Sequence, residues 1–279
     1  MAGWADSHEP YGDGEVNGHS LNGNGYHANG NGHKKRRGTK AVVLAGGRGT
    51  RLAPYTSVLP KPLMPVGERA ILELVVDQLE ACGITDITFC VGYLAHLIQS
   101  VFDNRENGHV SIEYVHEHEA LGTAAPLRLV DGLDSTFLVM NGDVLTELDY
   151  RDLVHYHHEH GNVITIATHE RAINIDYGML HLDVMSRVRG YSEKPEIRSP
   201  VSMGIYVMEP AALDFIPDDG HFDFPDLVAE LLEAEQQIGA YRYPGLWFDI
   251  GRREDYESAV ESWGTREGAE DVEQVEEHV

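Results

Sequence analysis

The sequence predicts an α/β protein: a mainly parallel sheet with helices on both faces and a small antiparallel flap. Three observations carry this reading. Short apolar, β-branched runs alternate with segments of helical spacing from residue 41 to about 168. The rhythm then changes to strand-like runs with no helices between them. Glycine and acidic signals recur just after strand ends, where open α/β sheets bind ligands.

Ala41 to Leu44 reads as the first strand, with Val42 to Leu44 its surest part. Ile71, Leu74, Val75, Gln78, Leu79 and Cys82 lie at helical spacing, and Gly83 is a helix stop. Ile87 to Val91 is a strand. Leu94, Leu97, Ile98, Val101 and Phe102 form the next helical face. Ile112 to Val115 is a strand, and Thr123 to Val130 a helix with Pro126 in its first turn. Thr136 to Met140 is a buried strand ending in Asn141-Gly142-Asp143. A helix over 148–160 leads to a strand over 163–168. Tyr177 to Leu182, Val188 to Tyr191 and Ser202 to Val207 are expected to form the flap. Helices near 211–215 and 225–235 follow, then Trp247-Phe248-Asp249-Ile250-Gly251 and a last helix from about Glu254.

This pattern occupies 39–263, one α/β domain. Residues 1–38 are rich in Gly, Asn and His, end in Lys34-Lys35-Arg36-Arg37, and lack apolar periodicity, so they are expected to be disordered. Residues 264–279 are an expected acidic tail. No apolar run reaches the roughly 18 to 20 residues of a membrane span, and the N-terminus shows no secretory pattern. Cys82 and Cys90 are too few for a disulfide framework, and both are expected to be buried free thiols. A cytoplasmic protein is the expectation.

The formal net charge of -25 repels nucleic acid and anionic lipid. Any anion site must therefore be a local cationic pocket. Leu44-Ala45-Gly46-Gly47-Arg48-Gly49-Thr50-Arg51-Leu52 supplies one, since a glycine turn after a strand can wrap a phosphate with backbone N–H groups. A P-loop needs Gly-Lys-Ser/Thr, and here Thr50-Arg51 follows Gly49. A dinucleotide fingerprint needs Gly or Ala where Leu52 stands. Ten residues after Arg51, Lys61 is held between Pro60 and Pro62, which stiffens its backbone.

Gly46-Gly47-x-Gly49-Thr50-Arg51-Leu52-x-Pro54-x-Thr56, Pro60-Lys61-Pro62 and Pro65-Val66 resemble the signature of the sugar-1-phosphate nucleotidylyltransferases. Leu121-Gly122-Thr123-Ala124, Asn141-Gly142-Asp143, Tyr177-Gly178, Glu193-Lys194-Pro195 and Trp247-x-Asp249-x-Gly251 follow in that family's order. The resemblance spans about 39–262. It implies a Rossmann-like sheet of the nucleotide-diphospho-sugar transferase type, with the flap binding sugar. It implies the reaction of an NTP with a sugar-1-phosphate, giving NDP-sugar and pyrophosphate.

The nucleophile is already an anion near neutral pH, so no general base is needed. The obstacle is repulsion, on the order of 4 kcal/mol per unit pair at about 4 Å and an effective dielectric of about 20. Cations must offset it. By resemblance, Leu44, Ala45, Gly46, Gly47, Gly49, Thr50, Arg51, Gly92 and Gly122 bind the nucleotide. Arg51, Lys61 and Asp143 are catalytic. Asn141, Gly178, Glu193 and Lys194 bind the sugar phosphate. Asp143 and Asp249 hold Mg²⁺. Trp247 is a packing residue that positions Asp249. His155, His157, His158 and His160 read as a solvated helix face.

The family's thymidylyltransferases carry a Pro-Gln pair where this chain has Val91-Gly92-Tyr93-Leu94. Together with Phe224-Pro225-Asp226-Leu227, this favours GTP; other NTPs stay open. The sugar can be a hexose, an amino sugar, a heptose or a cyclitol phosphate. The chain stops soon after the last helix, so the long β-helical extension of some relatives is not expected. A homodimer is common in the family, and no residue decides it. The rival reading is a catalytically silent regulatory relative, which the retained Arg51, Lys61, Asp143, Lys194 and Asp249 disfavour.

Overall fold

A computed structural model describes residues 38–103, 109–251 and 253–263. The two expected tails, apart from Gly38, lie outside the described residues. The strands are β1 (Lys40–Ala45), β2 (Pro65–Val66), β3 (Arg69–Ala70), β4 (Asp86–Val91), β5 (Ser111–His116), β6 (Phe137–Asn141) and β7 (Val144–Thr146). They continue with β8 (Ile164–Asn174), β9 (Met179–Leu182), β10 (Val188–Ser192), β11 (Glu196–Met208), β12 (Ile238–Arg242) and β13 (Trp247–Asp249). The helices are α1 (Ile71–Ala81), α2 (Ala95–Phe102), α3 (Tyr150–His160) and α4 (Phe224–Glu233), with a final helix over 253–263.

The central sheet has seven strands in the order β12-β8-β11-β6-β1-β4-β5. Every pairing is parallel except those of β11, which runs antiparallel to β6 and β8. Because successive strand residues face opposite sides, each strand feeds two cores. Ala41, Val43, Phe89, Leu138 and Met140 pack with α1, α2 and α3. Val42, Cys90, Phe137 and Val139 pack with α4 on the other face. The expected mainly parallel sheet with two covered faces is present. No helix among the described residues is long and apolar enough to cross a membrane.

Local chemistry explains the element ends. Glu73 accepts from the Ala70 N–H at 2.8 Å and caps α1. Asp149 accepts from the Arg151 N–H at 2.9 Å and caps α3, and the Arg151 guanidinium holds its carboxyl down at about 2.

Five expectations need correction. Ser202 to Val207 is not part of the flap: it lies within β11, inserted in the central sheet, where cross-strand pairing with β6 outweighs its short local pattern. Only β9 and β10 form the separate two-stranded flap. Residues 123–130 and 211–215 form 3₁₀ turns, Ala125–Leu129 and Pro210–Phe215, rather than α-helices. In the first, the preceding backbone is tied to another loop by the Thr123 N–H and hydroxyl, which donate to Asp223 at 2.8 and 2.9 Å.

His157 is not solvated. It is 1% exposed, with Nδ1 2.8 Å from the Thr165 hydroxyl and Nε2 3.2 Å from Glu209. Its three histidine neighbours do face solvent. Cys90 is buried as expected, whereas Cys82 is only half-buried. Strand β12 carried no expectation: Gly239 interrupts it, and it forms at the edge of the sheet beside β8.

Candidate active site

The site begins where β1 ends. Leu44 is in register with Cys90 of β4 and Asn141 of β6. The turn after β1 is therefore held between the turns after its two neighbours. The Tyr93 N–H donates to the Gly46 carbonyl at 3.2 Å, and the Gly142 N–H to the Leu44 carbonyl at 2.9 Å. Among the described residues, none accepts from the N–H groups of Gly47, Arg48, Gly49 or Thr50. Four open donors in one turn make a nest for an anion.

Gly49 has φ of 58°, the left-handed region. The Thr56 hydroxyl donates to its carbonyl at 2.9 Å. A Cβ at Gly49 would lie 2.9 Å from the Thr56 methyl and 3.1 Å from the Lys61 Cβ. The same turn thus sets the stem of Lys61 against the nest. Lys61 is buried, and its ammonium pairs with Asp143.

Asp143 follows β6, and its carbonyl accepts from the Ile250 N–H at 3.1 Å. Val144 pairs with Asp249 in the short β7–β13 ladder. Two distant stretches of sequence are joined there, and both aspartates meet. Burial, then the nearby Asp143 charge, pushes the Asp249 carboxyl up; Lys61 and Arg51 oppose that rise. Buried Asp143 Oδ1 has no hydrogen-bond partner among the described residues. An orphaned carboxylate oxygen beside a second carboxylate suits a hard divalent cation, with phosphate and water completing its shell. The described residues supply no cluster of three or more His, Cys, Asp or Glu for a metal, so such an ion would depend on substrate oxygens.

The Nucleotidyl transferase family model matches residues 40–265. The chain belongs to that family. It is 32% identical over 248 residues to a UTP–glucose-1-phosphate uridylyltransferase of Synechocystis, covering 82% of this chain and 64% of that protein. It is 33% identical over 234 residues to a mannose-1-phosphate guanyltransferase of Pichia angusta, covering 79% and 63%. The chain thus spans under two thirds of the length of these relatives. The structure of HddC from Yersinia pseudotuberculosis complexed with GMP-PN is similar, with TM-score 0.63, 25% identity, and 81% and 99% of the two chains covered.

In this member of the nucleotidyl transferase family, Arg51, Lys61, Asp143 and Asp249 form one group at the crevice. A Cβ on Gly251 would lie 3.3 Å from Asp249 Oδ1 and 3.6 Å from the Arg51 guanidinium. Trp247 has the expected packing role, its indole N–H donating to the Met203 carbonyl at 3.1 Å. Asn141 packs against Gly204, where a Cβ would lie 2.5 Å from its amide nitrogen. Gly122 has φ of 93°, and a Cβ there would lie 2.6 Å from the Phe222 carbonyl oxygen. The flap residues form a second group. Gly178 lies against the Tyr191 hydroxyl, which donates to Glu193. Lys194 is exposed, with φ of 42°. Among the described residues no ion pair joins it to the Arg51–Lys61–Asp143–Asp249 group.

Three residues escaped the sequence reading. Thr56 sat in a recognised motif without a role. Asp223 braces Thr123 across a hundred residues. Glu117 stood in the polar run His116-Glu117-His118-Glu119, which looks solvated. Its N–H donates to the Val91 carbonyl at 2.8 Å, and its carboxylate lies where a Cβ on Gly46 would be, at 2.2 Å. Burial pushes this carboxyl up, and the Leu121 N–H opposes that rise. Its placement after β5, level with the glycine turn, was the available signal.

Proposed function

We propose that the chain transfers a nucleoside monophosphate from GTP to a sugar-1-phosphate or a sugar-like cyclitol phosphate, giving NDP-sugar and pyrophosphate. The observation that carries this reading is the gathering of open N–H donors, Arg51, buried Lys61 and two carboxylates at one strand end, inside a chain of net charge -25. On so acidic a surface, two anions need such a local set of donors and cations to be held together.

The nest and Arg51 bind the β- and γ-phosphates and stabilise the departing pyrophosphate. Lys61 faces the α-phosphate, where charge builds up during in-line attack. Glu193, Lys194, Gly178 and Asn141 orient the acceptor phosphate and its hydroxyls. Asp143 and Asp249 would hold Mg²⁺, which neutralises phosphate charge when bound. Lys61 then exchanges its carboxylate partner for phosphate oxygens, so its charge becomes available at the reacting phosphorus.

Glu117 supports guanine. Its two oxygens accept only, and a guanine edge offers the N1–H and N2–H donors side by side. Uracil and thymine offer one N–H flanked by carbonyl oxygens, which a carboxylate repels. The guanyltransferase names among the relatives and the GMP-PN in the similar structure agree with this reading.

Pyrophosphate release should be measured for each NTP against a panel of sugar-1-phosphates and cyclitol phosphates with Mg²⁺. GTP should give the largest kcat/KM, and Glu117→Gln should lower that preference about tenfold or more. Silence with every pair would overturn the catalytic reading. An unchanged base preference in the variant would remove Glu117 from base selection.

A further inference from the structure

Gly178, Glu193 and Lys194 all lie between Asn174, where β8 ends, and Glu196, where β11 begins. The outer halves of β8 and β11 therefore carry the flap with these three residues. Strand β12 pairs with β8 over 164–168, and β6 with β11 over 205–208. Beyond those rungs β8 and β11 continue as a ribbon, 169–174 against 196–201, with no third strand paired to it among the described residues. The register shift between Ser202 and Tyr206 lies at its base. A bulge bends its strand, and a two-stranded ribbon is marginal by itself. The angle of this ribbon must be set from outside it.

Arg171 makes the outside contact. His169 and Arg171 share one face of the ribbon by alternation, and Trp247 lies against that face. The His169 and Trp247 ring centroids are 5.5 Å apart, and the Arg171 guanidinium lies 5.3 Å from the indole centroid. The same guanidinium donates to Asp255 at 3.1 Å. Trp247 stands two residues before Asp249 in β13, and Asp255 lies in the final helix. Arg198, by contrast, pairs with Glu170 and Glu196 of the ribbon itself. A guanidinium suits the bridging task, because its plane stacks on an indole while its edge meets a carboxylate.

The Arg171 and Asp255 side chains are 49% and 25% exposed. Such open pairs add little to global stability, so what this one supplies is position. Ser199 pairs with Arg171 across the ribbon, and strand from Ser199 to Pro195 reaches about 13 Å. A tilt of about 5° at Arg171 would therefore move Lys194 by roughly 1 Å, a misplacement that can cost about 10²-fold in rate.

We propose that Arg171 is a positioning residue: bound to Trp247 and Asp255, it fixes the flap relative to Asp249 and so sets the approach of the acceptor phosphate to the nucleotide. Its effect on rate rests on the nucleotidyl transfer proposed above; its hold on the flap does not.

Arg171→Met keeps the stem and removes the guanidinium. Hydrogen–deuterium exchange on the full chain should show amides over 169–199 exchanging at least threefold faster in this variant, with β1, β4 and β6 unchanged. In the pyrophosphate assay kcat/KM for the acceptor should fall about tenfold while KM for the NTP holds. Asp255→Asn should act in the same direction on both readouts, and the double variant should lose no more than Arg171→Met alone. If Arg171→Met also speeds exchange in β1, β4 and β6, Asp255→Asn takes its place in the comparison. Unchanged exchange over 169–199 overturns the proposal, as do single losses that multiply in the double variant or a defect confined to KM for the NTP. A wild type silent with every acceptor counts against the catalytic reading alone, and the exchange comparison still decides whether Arg171 holds the flap.

Discussion

Replacing Lys61 by methionine tests the centre of the site. Methionine keeps the stem's volume and removes the charge. The lysine and Asp143 side chains are 11% and 19% exposed, so this is a nearly buried pair. Removing one member of such a pair leaves an uncompensated charge and destabilises by roughly 3–5 kcal/mol. With the residual exposure, about 3 kcal/mol is expected for Lys61→Met in urea unfolding with EDTA present.

The double variant Lys61→Met/Asp143→Asn removes both charges and should recover stability to within about 1 kcal/mol of wild type. Activity should separate from stability. The single variant should lose about 10²–10³-fold in kcat, and the double variant should not regain it. The pH dependence adds a sign. The Asp249 carboxyl lies above its ordinary range, so the native state takes up its proton first. Its contribution favours folding at low pH and is lost as pH rises through the folded value. Lys61 is one of the two cations that hold Asp249 down. Without it the deficit should be larger at neutral pH than near pH 4. A single variant within 1 kcal/mol of wild type, or a double variant no more stable than the single, would refute the buried pair as the organising contact.

Asp249→Asn should stabilise the metal-free protein at neutral pH, because it removes a charge that burial and Asp143 disfavour, and the gain should shrink steadily as pH falls through the folded carboxyl's range in thermal melts. The same substitution should abolish any stabilisation by Mg²⁺ plus GTP. Gly178→Ala should swing Tyr191 away from Glu193, since the new Cβ would lie 2.1 Å from the Tyr191 hydroxyl. It should raise KM for the acceptor phosphate about fivefold while KM for the NTP stays constant; equal rises in both would contradict a role confined to the acceptor. For His157, burial depresses the imidazole's proton affinity, opposed by Glu209. Its contribution to stability is full above the unfolded value, about 6.5, and is lost as pH falls. His157→Gln should flatten that loss, and an unchanged slope in urea titrations between pH 7 and 5 would assign the acid sensitivity elsewhere.

Much of the candidate site was legible because its parts are local. A glycine turn after β1, a lysine between prolines, and Asn-Gly-Asp after β6 each carry their chemistry within a few residues. Alternating strand and helix periods likewise specified the sheet. Glu117 and Asp223 were not legible, since their meaning depends on which distant backbone they approach. Glu117 matters because β5 ends level with the turn at Gly46, a parallel register that no local pattern records. Asp223 matters because a loop a hundred residues away needs a hydrogen-bond acceptor.

By itself the sequence determined the alternation of elements, the need for a local cationic pocket, and the residues able to form one. These follow from periodicity, backbone stiffness and net charge, which act over short range or over the whole chain. Tertiary structure alone decided that β11 enters the central sheet, that His157 is buried, and that Glu117 reaches the glycine turn. Pairing between strands distant in sequence selects a register by the contacts it completes, and those contacts exist only once the chain has folded.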